Sequence, residues 1–355
     1  MCLPPETREL RMKTVLVTGA GGYIGSVLTP KLLRSGYRLR AVDRFFFGRD
    51  KLAPAAGLEV LQEDTRRLTD EHFRGIDYVI DLAAISNDPA GELFGAATEA
   101  INCDARVATA ERAKRTGVKR YILPSSCSIY GVTDDVVDES SPTNPLTAYS
   151  RANEKAERAV LSLADESFVV TVMRQATVFG YSPRMRFDLA INGMTYGAWK
   201  GGKLPLMRDG SQYRPMVHIE DTTDVMLLLL EFEPDAVNGR VFNVGGDACS
   251  FQIERLGRMV ARVVSEIMGS TIQIEWYGDP DHRSYRVAFD KIETALGWKA
   301  RWSGEDGVRQ IVDALRDGRL EKGPETITLE WYRDLHHWHR IVRSVEMYGG
   351  ILDIE

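Results

Sequence analysis

Two groups of residues in this 355-residue chain have the types and spacing that chemistry needs. The first is a glycine turn. Val15-Leu16-Val17 reads as a buried strand and breaks into Gly19, Gly22, Tyr23-Ile24 and Gly25 before helical periodicity resumes at Val27, Leu28 and Leu32. A strand, a glycine turn and a helix N-terminus in that order let a pyrophosphate approach backbone N–H groups at the positive end of the helix. Asp43 closes the next apolar run, 18 residues after Gly25. A carboxylate there accepts hydrogen bonds from an adenosine ribose and repels a 2′-phosphate, which selects NAD over NADP. Arg44, the next residue, pulls weakly the other way. The second group is YILPSSCSIYG, residues 121–131, which places small hydroxyls, Ser126 among them, at the end of another apolar run. Tyr149 follows 23 residues later, opening a helical pattern that reads Tyr149-Ser-Arg-Ala-Asn153. A tyrosine with an ordinary pKa of ~10 is only about 0.1% ionised at neutral pH, so as a base it needs help from its surroundings.

Positioning these groups requires alternating elements. Strand-like runs at 14–18, 38–43, 58–62, 77–82, 119–125 and 168–173 alternate with helical periodicity at 23–35, 93–116 and 146–164. Such alternation implies an α/β fold, a doubly wound parallel (Rossmann) sheet whose ligands bind at the carboxyl ends of the strands. Beyond Phe179 the pattern becomes loop-rich, although Val241-Phe-Asn-Val-Gly reads as a strand returning to the main sheet and 251–268 as a helix. The expected organisation is a cofactor domain of residues 13–180 plus about 215–247. A smaller, discontinuous substrate domain takes 181–214 plus about 248–325, and a helical extension takes 326–355. The seam between the domains is the expected substrate cleft.

Composition narrows the function classes. A formal charge of −6 argues against a general nucleic-acid binder. Cys2, Cys103, Cys127 and Cys249 are widely spaced, with neither metal-ligand nor disulfide patterning. The longest apolar run, Val225 to Leu230, is far too short for a membrane span, and the first residues do not read as a signal peptide. The expectation is a reduced, cytoplasmic protein without membrane contact. His336, His337 and His339 lie on an aromatic-rich helix without acids or cysteines at ligand spacing, so no metal is expected.

Taken in order, TGAGGYIG, Asp43, Asp64, DLAA at 81–84, Asn102, SSCSIYG, Tyr149, Arg174 before FG, RPMVHIED at 214–221 and LGWK at 296–299 carry a family likeness. Over roughly residues 13–315 the chain resembles the extended short-chain dehydrogenase/reductase superfamily. Within it, the likeness is to nucleotide-sugar epimerases and dehydratases related to UDP-galactose 4-epimerase. The resemblance implies tightly held NAD that transiently oxidises a nucleotide-activated sugar, with Tyr149 as the base and Ser126 bonding the reacting oxygen. It assigns Asp64, Thr65, Leu82, Ala83, Ala84 and Asn102 to the cofactor site, beside the glycines, Tyr23, Ile24 and Asp43. It also implies a homodimer paired through 93–116 and 146–164.

The chain departs from the family pattern at several positions. Relatives carry a lysine one helical turn after the tyrosine; here that position is Asn153, and Lys155 faces elsewhere on an ideal helix. Three readings stay open: another group rebuilds the charge, the chain is a weakened homologue, or its reaction demands less oxidation. Asp81 replaces a common histidine and Thr177 a common asparagine. Where 4,6-dehydratases place Asp-Glu after the serine, this chain has Cys127-Ser128, which disfavours dehydration and leaves Cys127 as a minor catalytic candidate. Arg214 and Arg283 resemble diphosphate clamps, and Arg184 with Arg186 adds charge in the cleft loop. Ser86 lies within reach of the sugar, and Asp188 would repel phosphate unless an arginine covers it. The expected activity is an NAD-dependent nucleotide-sugar epimerase. The alternatives are a ketoreductase, oxidoreductase or dehydratase of the same superfamily, or an NAD-binding protein without turnover.

Overall fold

The computed structural model describes residues 12–279 and 284–347. Seven parallel strands form the central sheet: β1 (Thr14–Thr18), β2 (Arg38–Asp43), β3 (Leu58–Gln62), β4 (Tyr78–Asp81), β5 (Arg120–Ser126), β6 (Val169–Gln175) and β7 (Arg240–Val244). Their spatial order is β7-β6-β5-β4-β1-β2-β3. The order reverses between β1 and β4, which opens a crevice at the carboxyl ends of those two strands. All six expected strands appear within two residues of the bounds read, and Val241 returns to the sheet as expected.

Period-two alternation explains how the sheet is covered on both faces. Val15, Val17, Leu39, Ala41, Ile80 and Ile122 point to one face and pack with Leu28 and Leu32 of α1 (Gly25–Arg34) and with Val225 and Leu229 of the helix Ile219–Glu231. Leu16, Val42, Val79, Tyr121 and Leu123 point to the other. There they meet Ala110 and Ala113 of α2 (Arg106–Arg115) and Ala156 and Val160 of α3 (Ala148–Leu161). Each fully buried Leu or Val contributes about 1.5–3 kcal/mol relative to exposure, so the two faces together hold the sheet.

The long helix expected over 93–116 is interrupted. Short helices at Asp88–Leu93 and Gly95–Glu99 lead into a π-helical turn at Ala100–Ala105, and only then does α2 begin. The extra residue per turn shifts the helix phase, so Asn102 and Arg106 both face inward and are buried.

A second apolar core lies over the crevice. Met185, Ile191, Met194, Leu204 and Leu206 pack with Leu256, Val260, Val264, Val308, Ile311 and Val312. The strand Tyr213–His218 pairs with Thr177–Phe179 and Ser250–Gln252 in a separate three-stranded sheet, so it does not join the main one. The last helix, α4 (Thr328–Val345), returns across the mouth of the crevice. Among the described residues no helix is long and apolar enough to cross a membrane, and Cys103, Cys127 and Cys249 are free thiols.

His218 joins the two layers. Its Nδ1 accepts from the Glu220 N–H, so Nε2 carries the proton and donates to Gln310, while the ring stacks on Trp302 at 4.3 Å. Burial holds the imidazole down to about 4, from an ordinary 6.5. The folded protein therefore resists protonation that the unfolded chain accepts. Stability is whole above pH about 6.5 and falls by up to about 3 kcal/mol as pH drops to about 4. Melting curves across that range are expected to show the loss, and His218→Gln to flatten it.

Candidate active site

A cleft of about 1470 Å³ opens where the sheet order reverses. Its floor is the glycine turn. Gly19 has φ +66°, and a Cβ there would sit 2.8 Å from the Ala83 nitrogen; a Cβ on Gly25 would fall 2.3 Å from the Gly19 carbonyl oxygen. Only bare backbone packs this closely, and the packing brings Leu82-Ala83-Ala84 and the first turn of α1 against one space. Tyr23 and Ile24 line it too, with the Tyr23 hydroxyl donating to the Gly180 carbonyl at 2.7 Å. At the end of β2, Asp43 accepts from the Gly21 and Phe45 N–H groups at 3.0 and 2.6 Å. Arg44 turns aside to Asp64 at 2.9 Å, and Arg66 shares the same carboxylate. These two guanidiniums hold Asp64 near 2, well below the usual carboxylate range, and Thr65 lines the cleft beside it.

Asn102 acts as a brace. It lies outside the cleft lining, with its amide closing both hydrogen bonds to the Ile85 backbone at 2.9 and 3.0 Å. That pair fixes the loop after β4 on which Ser86 stands.

Ser126 caps a short turn by accepting from the Ser128 N–H at 3.1 Å. Tyr149 sits in the first turn of α3, whose start is fixed by a reciprocal Thr147–Ser150 cap. Helix 88–93 backs directly onto it, since a Cβ on Gly91 would lie 3.1 Å from the Tyr149 Cβ. Ser126 and Tyr149 both face the cleft. Asn153 is buried behind Tyr149, off the cleft lining, and its Nδ2 closes no hydrogen bond in the fold. Burial raises the Tyr149 phenol; the Arg106 charge and the approach of Asn153 and Ser126 pull it back down, and Asp88 opposes them.

Cys127 is separated from this group. It is fully buried, its thiol donates to the Arg174 carbonyl at 3.1 Å, and burial pushes its pKa far up, so it is no accessible acid or nucleophile.

The other wall is cationic. Arg186 covers Asp188 with two bonds, Nε to Oδ1 at 3.1 Å and Nη2 to Oδ2 at 2.6 Å, and reaches the Ser86 hydroxyl at 3.2 Å. The repulsion expected from Asp188 is thereby neutralised. Arg184 lies 3.7 Å above the Phe47 ring and donates to Thr328 at 3.0 Å, with Nε buried and unpartnered. Burial holds it down to about 10. Arg214 lines the cleft and bonds the Tyr213 carbonyl at 2.9 Å, whereas Arg283 lies outside the described residues.

Two contributors, Arg106 and Tyr332, escaped the sequence reading, and Asp81 enters it only as a departure from the family pattern. Arg106 stands behind Asn153. Asp81 is locked by the Thr18 and Tyr121 hydroxyls under the floor. Tyr332 of α4 meets the rings of Phe46, Phe47 and Phe94 across the mouth, where Trp331 donates to the Phe46 carbonyl at 2.6 Å. Arg106 alone had a signal, since it lies one helical turn after Asn102 on the same face.

The glycine-bared helix terminus, the Asp43 carboxylate and the Ser126–Tyr149 pair together fit a dinucleotide laid along the cleft. A parallel sheet with such a site defines a Rossmann dinucleotide-binding protein. Comparison with known proteins agrees: residues 15–245 match the model of the NAD dependent epimerase/dehydratase family, and the chain belongs to that family. NAD is its cofactor. The Low-salt glycan biosynthesis protein Agl12 of Haloferax volcanii is 28% identical over 84% of this chain and 97% of its own. The mouse dTDP-D-glucose 4,6-dehydratase is 24% identical over 95% and 93%. Among solved structures, MoeE5 in complex with UDP-glucose and NAD is 26% identical, with a TM-score of 0.75 over 86% of this chain and 100% of its own. The UDP-glucuronic acid 4-epimerase of Bacillus cereus has the same fold at 23% identity, with a TM-score of 0.76 over 86% and 99%.

Proposed function

We propose that this chain is an NAD-dependent epimerase of a nucleotide-activated sugar, working through a transient keto sugar. The observation that carries this reading is the Ser126–Tyr149 pair facing the cleft with no carboxylate in the turn Cys127–Tyr130. A hydroxyl pair serves oxidation and re-reduction at one carbon. Elimination of water would need an acid and a base in addition. The named relatives include a 4-epimerase and a 4,6-dehydratase, and the missing acids favour the former.

In this reading Tyr149 takes the proton from the sugar hydroxyl and later returns it, while Ser126 holds the same oxygen. NAD, when bound, accepts and gives back the hydride. Asp43, Gly19, Gly22 and Gly25 hold the cofactor. Arg214 and Arg184 are suited to the substrate diphosphate, because guanidinium presents paired donors at fixed charge, and Ser86 borders the sugar end.

Proton NMR with NAD and a panel of nucleotide sugars in deuterated water tests the reading. A stereoisomer free of solvent deuterium at the inverted carbon supports it. Net NADH formation or consumption, or loss of water from the sugar, overturns it in favour of an oxidoreductase or dehydratase. We also propose a homodimer through the outer faces of α2 and α3; light scattering is expected to give about twice the chain mass of 39.8 kDa.

A further inference from the structure

A buried cation stands behind the candidate base. Arg106 is 4% exposed, at the start of α2 just after the π-helical turn. Its Nε donates to the Ala83 carbonyl at 3.3 Å and its Nη1 to the Asn153 Oδ1 at 2.6 Å. Both acceptors are neutral. Burying a guanidinium on two neutral acceptors is costly, and such an arrangement persists where the charge is useful. Asp81 shares its field from beneath, but both carboxylate oxygens are already taken by Thr18 and Tyr121. On its other side, Arg106 holds the Asn153 carbonyl, which turns the Asn153 amide nitrogen away from it. That nitrogen is buried and closes no bond in the fold.

We propose that Arg106 is the cationic partner of Tyr149: anchored on Asn153, one helical turn after Tyr149 on α3, it sets a fixed positive charge behind the phenol that serves the phenolate. This deepens the reading of Tyr149 as the base and rests on it. The charge that a lysine at position 153 would bring on α3 here arrives from α2, and Asn153 anchors it. The groups facing Tyr149 are Arg106 and Asn153 from behind, Ser126 from the turn after β5, Asp88 from the helix backed onto it, and Arg186 and Tyr285 from across the cleft. Arg106 is the strongest of them in favouring the phenolate.

The test is a titration of Tyr149 by NMR in protein labelled with ζ-carbon-13 tyrosine, both NAD-free and NAD-loaded, the signal being assigned by its absence in Tyr149→Phe. Arg106→Gln keeps a side chain that can still bond Asn153 but removes the charge. It is expected to raise the Tyr149 midpoint by about one unit or more, with the pH profile of kcat moving alike. Arg106→Lys is expected to keep the midpoint near its original value. The double variant Arg106→Gln with Asn153→Lys returns the charge from α3 and is expected to bring the midpoint back down, which a packing role alone would not do. An unmoved midpoint in folded Arg106→Gln overturns the proposal. So does an unrestored midpoint in the double variant, which also serves should the single variant not fold. Retained turnover in Tyr149→Phe would instead overturn the reading of Tyr149 itself.

Discussion

Tyr149→Phe is expected to lower kcat by about a thousandfold, within the range that removing a general base costs, while NAD binding and melting temperature stay close to those of the parent. The physical reason is local. The Cβ and backbone of Tyr149 are packed by the helix at Gly91, and phenylalanine has the same Cβ and ring size, so the fold loses nothing but one oxygen. That oxygen is the group whose ionised form the Arg106 charge, Asn153 and Ser126 favour against burial. Single-turnover kinetics with the substrate found by NMR, and calorimetric titration of NAD, separate the two effects. A fall in turnover smaller than about tenfold would move the base elsewhere. Asp88 would then be the first residue to examine, because it is the acid in the cleft whose charge reaches Tyr149.

Glu157→Gln is expected to cost about 3–5 kcal/mol of stability, the usual consequence of leaving one partner of a buried ion pair uncompensated. Glu157 on α3 is 2% exposed and binds Arg174 of β6, with Nη2 at 2.9 Å and Nε at 3.1 Å. Arg174 continues to the Tyr130 hydroxyl at 2.9 Å, and Tyr130 donates to Asn243 of β7 at 2.8 Å. One chain of charge and hydroxyl thus ties α3, the turn after Ser126 and two strands together. The amide loses the charge that balances the guanidinium while keeping its shape. Urea unfolding, compared with the exposed pair Arg74–Glu71 broken by Glu71→Gln, checks the magnitude; the exposed pair is expected to cost under about 1 kcal/mol. Because Glu157 sits two turns after Tyr149 on the same helix, the loss of stability is expected to appear with only a modest change in kcat.

Much of this protein is legible along the chain, for a local reason. Strand positions follow from apolar runs and period-two alternation, and the two faces of the sheet separate Val15 and Val17 from Leu16 because neighbouring side chains must point opposite ways. The glycine turn follows from backbone sterics, since no side chain fits at Gly19 or Gly25. The likeness carried by Ser126 and Tyr149 points both to the cleft, as helix and strand ends bring them to one side of the sheet.

The pairs that tune the site belong to the tertiary structure. Arg106 and Asn153 are 47 residues apart, and although its spacing from Asn102 puts Arg106 on the inward face, nothing along the chain announces that it meets Asn153. It depends on a π turn at 100–105 that shifts helix phase, inside a segment whose pattern reads as one continuous helix. Cys127 looks available in the string SSCSIYG, yet the turn after β5 buries its sulfur against the Arg174 carbonyl. The repulsion expected from Asp188 disappears because Arg186, two residues away, bends back onto it and onto Ser86 from a distant loop. Chain-local chemistry is written in residue type and spacing, because backbone geometry repeats. Charge placement in a buried site is decided by which helices pack, and in what phase, and those contacts exist only once the chain has folded.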